Sequence, residues 1–246
     1  MPTKSTSHVA CLIHGDAYDW RYVDNLYSMI CRNSTKQIKF HVLTESSRSI
    51  PAHMIKHDLI EWSGIAGPKK SWWYKLQLFS PGQFQEPVTY FDLDTVIIDN
   101  IDWLLDSDDR YFWSLLDFKY LWRSSWRGIN SSIMRWHPEK TAYVWQDFIE
   151  QDINSLIRRY HGDQDYLSQV IDESALRYID KSLIHSWRWQ ILDGGMDVRT
   201  RKYNRPGAGA VLQPTTKIVV FHGQPKPQDI ADPVIQNHWS RRAFLQ

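Results

Sequence analysis

Short apolar runs alternate with helically spaced segments through the first hundred residues, and this alternation constrains the fold more than any other feature of the chain. Val9–His14 (VACLIH) is an apolar run closed by Gly15-Asp16, as a buried strand and its turn would be. Apolar residues then recur at Tyr22, Val23, Leu26, Met29 and Ile30 with the spacing of one helix face. Ile38–Leu43 alternates as a second strand, and Asp58–Trp62 reads as a third. Trp72–Phe79 (WWYKLQLF) is helical in pattern and stops at Ser80-Pro81-Gly82, before a further strand at Val88–Phe91. Strands separated by helices return to the same direction, which predicts an α/β fold with a mainly parallel sheet. Ligands of such sheets lie beyond the carboxyl ends of the strands, so Asp16, Asp92 and Asp94 should share one rim.

The second half continues the pattern less regularly. Asp99 or Asn100 can cap a helix whose face is Ile101, Leu104 and Leu105, and strands follow at Tyr111–Leu116 and Ile129–Trp136. His137-Pro138 opens a helix from Glu139 to about Asp152, since proline suits a first helical turn, and Tyr166–Ile171 is a second amphipathic piece. Asp193–Gly209 reads as a loop, Lys217–Phe221 as a late strand, and the tail after Pro225 as irregular. With 246 residues, no internal repeat and no low-complexity linker, a single domain is expected.

Composition narrows the function classes. The 29 Lys and Arg against 28 Asp and Glu give a net charge of +1, which argues against a dedicated nucleic-acid binder. No apolar run approaches the roughly 20 residues that cross a bilayer, and the first residues lack the apolar core of a signal peptide. Cys11 and Cys31 are too few to staple the domain and suggest a reducing, cytoplasmic setting. Thirteen tryptophans, beside 12 tyrosines and 9 phenylalanines, favour sugar or nucleobase ligands, although most large rings serve to fill cores.

The most informative segment is Tyr90-Phe91-Asp92-Leu93-Asp94, where an apolar strand delivers two carboxylates two residues apart. In extended backbone the two point the same way and can reach one hard cation such as Mg or Mn, held together with substrate phosphates. Two enzyme classes use the pattern. Asp92, Asp94 and Val96 fit the first motif of haloacid-dehalogenase phosphatases, but here two or three strand–helix units precede it, and Gly162-Asp163 lacks the second Asp, Leu167 standing in its place.

The other class is the nucleotide-sugar glycosyltransferases of the GT-A fold, and the chain resembles glycosyltransferase family 8, the retaining, glycogenin-like branch, in four blocks. These are Leu12-Ile13-His14-Gly15-Asp16-Ala17-Tyr18; Tyr74–Phe79 with Val88–Ile98 and Asn100-Ile101-Asp102; Gly162-Asp163-Gln164-Asp165-Tyr166-Leu167; and Phe221-His222-Gly223-Gln224-Pro225-Lys226-Pro227. Each block alone is weak, and four in the family's order are strong. The resemblance implies a single GT-A domain with a nucleotide-binding half (1–100) and a sugar and acceptor half (101–246). It also implies transfer of a hexose from a UDP-sugar, with retention, to a carbohydrate, lipid-linked or protein acceptor.

Residue by residue, the resemblance makes Asp92, Asp94 and His222 ligands of Mn (or Mg), and a bound cation would stabilise the departing diphosphate as a Lewis acid. Lys226 would meet the diphosphate as a point charge, and Lys75 the donor; Asp16 and Tyr18 would hold the nucleoside, and Leu93 and Gly223 line the nucleotide-sugar site. The His222–Lys226 spacing is two residues shorter than the family's. Gln164 would position and stabilise the reaction centre, with Asp163 and Asp165 beside it and Asp163 binding sugar hydroxyls. Asn130 and Ser131 stand where the family has a sugar contact, with serines in place of small apolar residues. Taken without the resemblance, His222 reads equally as a strand-end histidine, Lys75 and Lys226 as solvated lysines, and Asp163 as an N-cap. Trp122, Trp126, Trp187 and Trp189 lie in Arg- and Ser-rich segments and are candidates for an acceptor groove as well as for packing. A binding relative without activity is the non-enzyme alternative, against which the intact Asp92, Asp94, Gln164 and His222 count.

Overall fold

Strand-forming and helix-forming segments sort as the patterning requires, and the computed structural model describes residues 5–62, 71–192, 195, 197, 199–200, 202 and 209–240. The loop expected at Asp193–Gly209 lies largely outside the described residues. In chain order the strands are β1 (Thr6–Leu12), β2 (Gln37–Thr44), β3 (Ile55–Asp58), β4 (Val88–Phe91), β5 (Thr95–Ile97), β6 (Phe112–Leu116), β7 (Ile129–Trp136), β8 (Leu176–Tyr178), β9 (Ile184–Ser186) and β10 (Ile218–Val220). The α-helices are α1 (Arg21–Arg32), α2 (Asp102–Leu105), α3 (Pro138–Glu150), α4 (Ile153–Arg159), α5 (Asp163–Val170) and α6 (Pro233–Trp239).

Seven strands form the main sheet in the order β3-β2-β1-β4-β7-β6-β8, and three form a second in the order β5-β10-β9. In the main sheet only β7 runs against its neighbours, β4 and β6; every other pairing is parallel. The mainly parallel α/β sheet read from the alternation is therefore the observed one. Chain order departs from spatial order at β1, which pairs with both β2 and β4, and strand ends beside such a crossover are where open α/β sheets bind ligands.

Apolar side chains pack on both faces. One core gathers Val9, Leu26 and Met29 with Phe221 and Trp239; the other gathers Tyr90 and Trp136 with Trp73 and Phe148. The nine residues Ser71–Phe79 form a 3-10 helix, buried from Trp73 onward. The run is long for that geometry, whose i and i+3 side chains eclipse.

Three expectations are corrected. The third strand is Ile55–Asp58, not Asp58–Trp62; it is a polar edge strand whose sequence carries no apolar alternation. The helix after Asn100 starts from Ile101, although Asn100 Oδ1 does accept from the Asp102 amide. The tail after Pro225 contains α6, capped by Asp232, whose carboxylate accepts from the Val234 amide ahead of Pro233 in the first turn. That Asp-Pro start is a legible helix signal.

A row of three imidazoles crosses the parallel strands. His8 Nδ1 lies 3.0 Å from His41 Nε2, and His41 Nδ1 lies 2.8 Å from His57 Nε2, against Phe84. Burial, helped by the two neighbouring imidazoles, lowers His41 to about 3, and burial lowers His8 and His57 as well. These residues take up protons in the unfolded chain before they do so in the folded one. Their contribution is therefore complete above the open-chain value of 6.5 and is lost as pH falls from there toward 3. Thermal midpoints should drop steadily once pH passes below 6.5, and His41→Gln should make that decline shallower; a midpoint flat over this range would contradict the assignment.

Candidate functional site

Strand β4 ends at Phe91, and the chain turns at once into β5, with the Thr95 amide donating to the Asp92 carbonyl. Asp92-Leu93-Asp94 is thus a turn joining the two sheets, not the extended segment expected from its spacing. Both carboxylates still face a common cavity of about 570 Å³, and Leu93 lines it too.

An ammonium group on the cavity wall gathers two of its carboxylates. Lys75, on the 3-10 helix and buried, sits 2.7 Å from Asp92 Oδ1 and 3.9 Å from Asp163 Oδ2. Ser131 joins them, donating to Asp163 Oδ2 at 2.6 Å and accepting from Lys75 Nζ at 3.3 Å. Tyr90 donates to the same Asp92 oxygen at 2.7 Å. Burial works to lower the Lys75 ammonium, but Asp92 and Asp163 more than offset it and the net shift is upward. Burial pushes the Asp163 carboxyl up, against the pull of Lys75 and the Ser131 hydroxyl.

A second ion pair flanks the first. Lys226 Nζ bonds Asp94 Oδ2, and the Tyr18 hydroxyl, 3.0 Å from the same oxygen, lies 2.8 Å from Lys226 Nζ. Burial and the nearby Asp92 raise the Asp94 carboxyl, opposed by Lys226. Lys226 therefore reaches the cavity in spite of the shortened His222–Lys226 spacing. Tyr18 lines the cavity as well, with Lys226 Nζ 5.2 Å from its ring centroid and an edge contact with Tyr22.

His222, Gly223, Asn130, Ser131 and Gln164 line the same cavity. Gly223 has φ +74°, a backbone conformation that calls for glycine, and it lies beside the Arg188 guanidinium. His222 stacks on Phe118 and places Nε2 2.7 Å from Ser186 Oγ; burial, with Arg188 and Lys226 nearby, lowers it to about 3, which keeps the imidazole neutral. Asp16 and Asp165 do not line the cavity. Asp16 is exposed in the β1 turn, and Asp165 lies two residues beyond Asp163 on α5, about 200° around the helix. None of the four candidate acceptor tryptophans lines it either. Trp187 is buried against Phe221, Trp126 lies under Lys119, and Trp122 meets Trp189 edge-on. Arg127 donates to the Ser124 and Trp126 carbonyls, and Arg123 lies over the Trp126 ring. The aromatic ring that sequence reasoning missed is Trp72, which does line the cavity, and its place at i−3 from Lys75 on a helix was the available signal.

The donor types suit a hard divalent ion: Asp92 and Asp94 each engage lysine through one oxygen, Oδ1 and Oδ2 respectively, leaving the other oxygen of each carboxylate for a cation, and a neutral imidazole lines the same cavity. His222 is not drawn up beside the carboxylates, and among the described residues no three His, Cys, Asp or Glu side chains converge into a metal-holding group.

Removing one partner of a buried ion pair strands the other. Lys75→Met should cost about 3–5 kcal/mol, and the double variant Lys75→Met/Asp163→Asn should recover part of that loss. Urea unfolding of both measures it.

No family model matches the chain, and no curated protein sequence does. Solved structures do share its fold. The glycosyltransferase GlyE of Streptococcus pneumoniae TIGR4 superposes with a TM-score of 0.64 at 16% identity over 96% of this chain. The present chain spans 60% of the length of GlyE. The galactosyltransferase LgtC, solved with donor and acceptor sugar analogues, gives 0.62 at 12% identity over 97% of both chains. Mouse xyloside xylosyltransferase 1 gives 0.51 at 14% identity over 89% of this chain and 98% of its own. The architecture built above, a mostly parallel seven-stranded sheet with flanking helices, is the GT-A-type fold of these glycosyltransferases.

Proposed function

We propose that the protein is a metal-dependent glycosyltransferase that takes a hexose from a UDP-sugar and passes it, with retention of configuration, to an acceptor. The observation that carries the reading is the clasp of Lys75 between Asp92 and Asp163, with the Lys226–Asp94 pair beside it, in a cavity at the rim of a GT-A-type sheet. UDP, hexose and retention rest on the four-block resemblance, and sugar donors and acceptors on the likeness to LgtC. The two free cysteines agree with a cytoplasmic setting.

In this reading the two lysines exchange partners. A diphosphate offers Lys226 and Lys75 oxygen anions in place of Asp94 and Asp92, so their ammonium groups offset charge on the leaving group. Asp92 and Asp94 would hold the divalent ion, with His222 as the nitrogen donor of the cavity. When bound, that ion supplies Lewis-acid stabilisation of the diphosphate. Asp163, fixed by Ser131, accepts hydrogen bonds from sugar hydroxyls, and Gln164 in the first turn of α5 orients the reacting carbon.

Calorimetric titration of UDP and GDP, each with and without Mn, into wild type and Asp94→Ala tests the reading. UDP binding that requires both Mn and Asp94 is expected, with Lys226→Ala about tenfold weaker for UDP through loss of one charge-assisted contact. GDP preference would retain the fold and change the donor; no nucleotide binding in any condition overturns the reading, and phosphatase assays become the next experiment.

A further inference from the structure

The connection from β6 to β7 rises from the same rim of the main sheet as the candidate site. β4 and β6 both pair antiparallel with β7, so Phe91 and Leu116 end their strands at one edge. From Leu116 the chain makes an excursion over residues 117–128, closed at its base where the Asp117 amide donates to the Gly128 carbonyl. One short 3-10 turn, Phe118–Leu121, interrupts it. Phe118 turns inward and stacks on the cavity residue His222, with ring centroids 5.2 Å apart. The residues that follow turn outward.

Leu121 and Trp122 are consecutive large apolar residues, 39% and 42% exposed. Arg123, Ser124, Ser125 and Arg127 are exposed as well. The excursion holds three basic residues, Lys119, Arg123 and Arg127, against one acid, Asp117, which is buried and 3.3 Å from Lys119. Lys119 and Arg123 lie 4.5 and 5.6 Å from the centroid of the Trp126 ring, so the cations are interleaved with the indoles. Lys181 adds a further cation 5.6 Å from the Tyr120 ring, while its neighbour Asp180 accepts from the Ser182 amide.

Single exposed apolar residues are ordinary and assign nothing. An indole and a leucine side by side, ringed by cations, have the composition that partitions into a bilayer interface. There the rings settle among the headgroups, the basic stems lie along apolar surface and their charged ends meet anionic phosphates. A nucleic acid would cover the cations and offer Leu121 no apolar counterpart.

We propose that the 117–128 loop is a membrane-docking surface. Leu121 and Trp122 enter the headgroup region of an anionic bilayer, Arg123 and Arg127 meet its lipid phosphates, and the rim of the cavity is held against the membrane. The assignment stands on the loop itself and not on the glycosyl-transfer reading.

Co-sedimentation of the full chain with vesicles tests it, comparing phosphatidylcholine alone with phosphatidylcholine containing about 30% phosphatidylglycerol. Wild type should bind the anionic vesicles about tenfold more strongly, and raising the salt from about 0.1 M to about 1 M should remove most of that preference. Trp122→Ala and Arg123→Ser should each weaken binding to anionic vesicles about fivefold, and the double variant should weaken it further. Arg158→Ser, which removes an exposed cation from α4, should leave binding unchanged, and matching thermal midpoints show that the fold is kept. Should Trp122→Ala fail to fold, Arg123→Ser decides the question. Wild type indifferent to anionic lipid, binding unaltered in Trp122→Ala and Arg123→Ser, or an equal loss in Arg158→Ser overturns the surface. Capture of a DNA duplex that depends on Arg123 and not on Trp122 overturns it too, in favour of a polyanion site. UDP titration of the same samples keeps the two proposals apart: vesicle binding without UDP binding upholds the surface alone, and UDP binding without vesicle binding upholds the transferase reading alone.

Discussion

A single buried ammonium ion organises the site. Lys75 comes from the 3-10 helix, Asp92 from the end of β4, Asp163 from the first turn of α5 and Ser131 from β7, so one charge ties four elements together at 2.7 Å to Asp92 and 3.9 Å to Asp163. Burying Asp163 here, beside the half-buried Asp92, without that cation would be costly. The need to place a counter-charge accounts for local details that are otherwise arbitrary. The Ser131 hydroxyl both donates to Asp163 and accepts from Lys75. Tyr90 spends its hydroxyl on Asp92 for the same reason.

The neighbouring Asp94–Lys226–Tyr18 cluster repeats the solution on a different loop. Two lysines are held in the cavity by three carboxylates, Lys75 by Asp92 and Asp163 and Lys226 by Asp94. The neutral His222, confined by Phe118 and Ser186, adds a donor without adding charge. The cavity is lined by three carboxylates, Asp92, Asp94 and Asp163, against two ammonium groups, Lys75 and Lys226, so it carries one more acidic than basic side chain.

Much of the main sheet was legible because its signals are local. Apolar runs closed by turn residues gave β1, β2, β4, β6 and β7 and α1 and α3 close to their observed bounds. Elements without that pattern were not legible. β3 is a polar edge strand held by pairing with β2, and β8 and β9 are three-residue strands whose existence depends on neighbours distant in the chain. The short helix α6 carried an Asp-Pro start but sits in a stretch without helical periodicity.

What the sequence determined by itself was the fold class, the delivery of Asp92 and Asp94 from the end of an apolar strand, and the set of residues from four separated blocks that could meet. Tertiary structure decided which of them do. It brought Lys75, Lys226, Ser131, Asp163 and Gln164 to one cavity, turned Asp165 around the helix and left Asp16 in solvent. It also put Trp187 in the core and set Trp72 on the cavity wall. The reason is geometric: strand pairing and helix phase fix which way each side chain points, and those depend on partners far away in the chain, whereas apolar runs, turns and caps are written in consecutive residues.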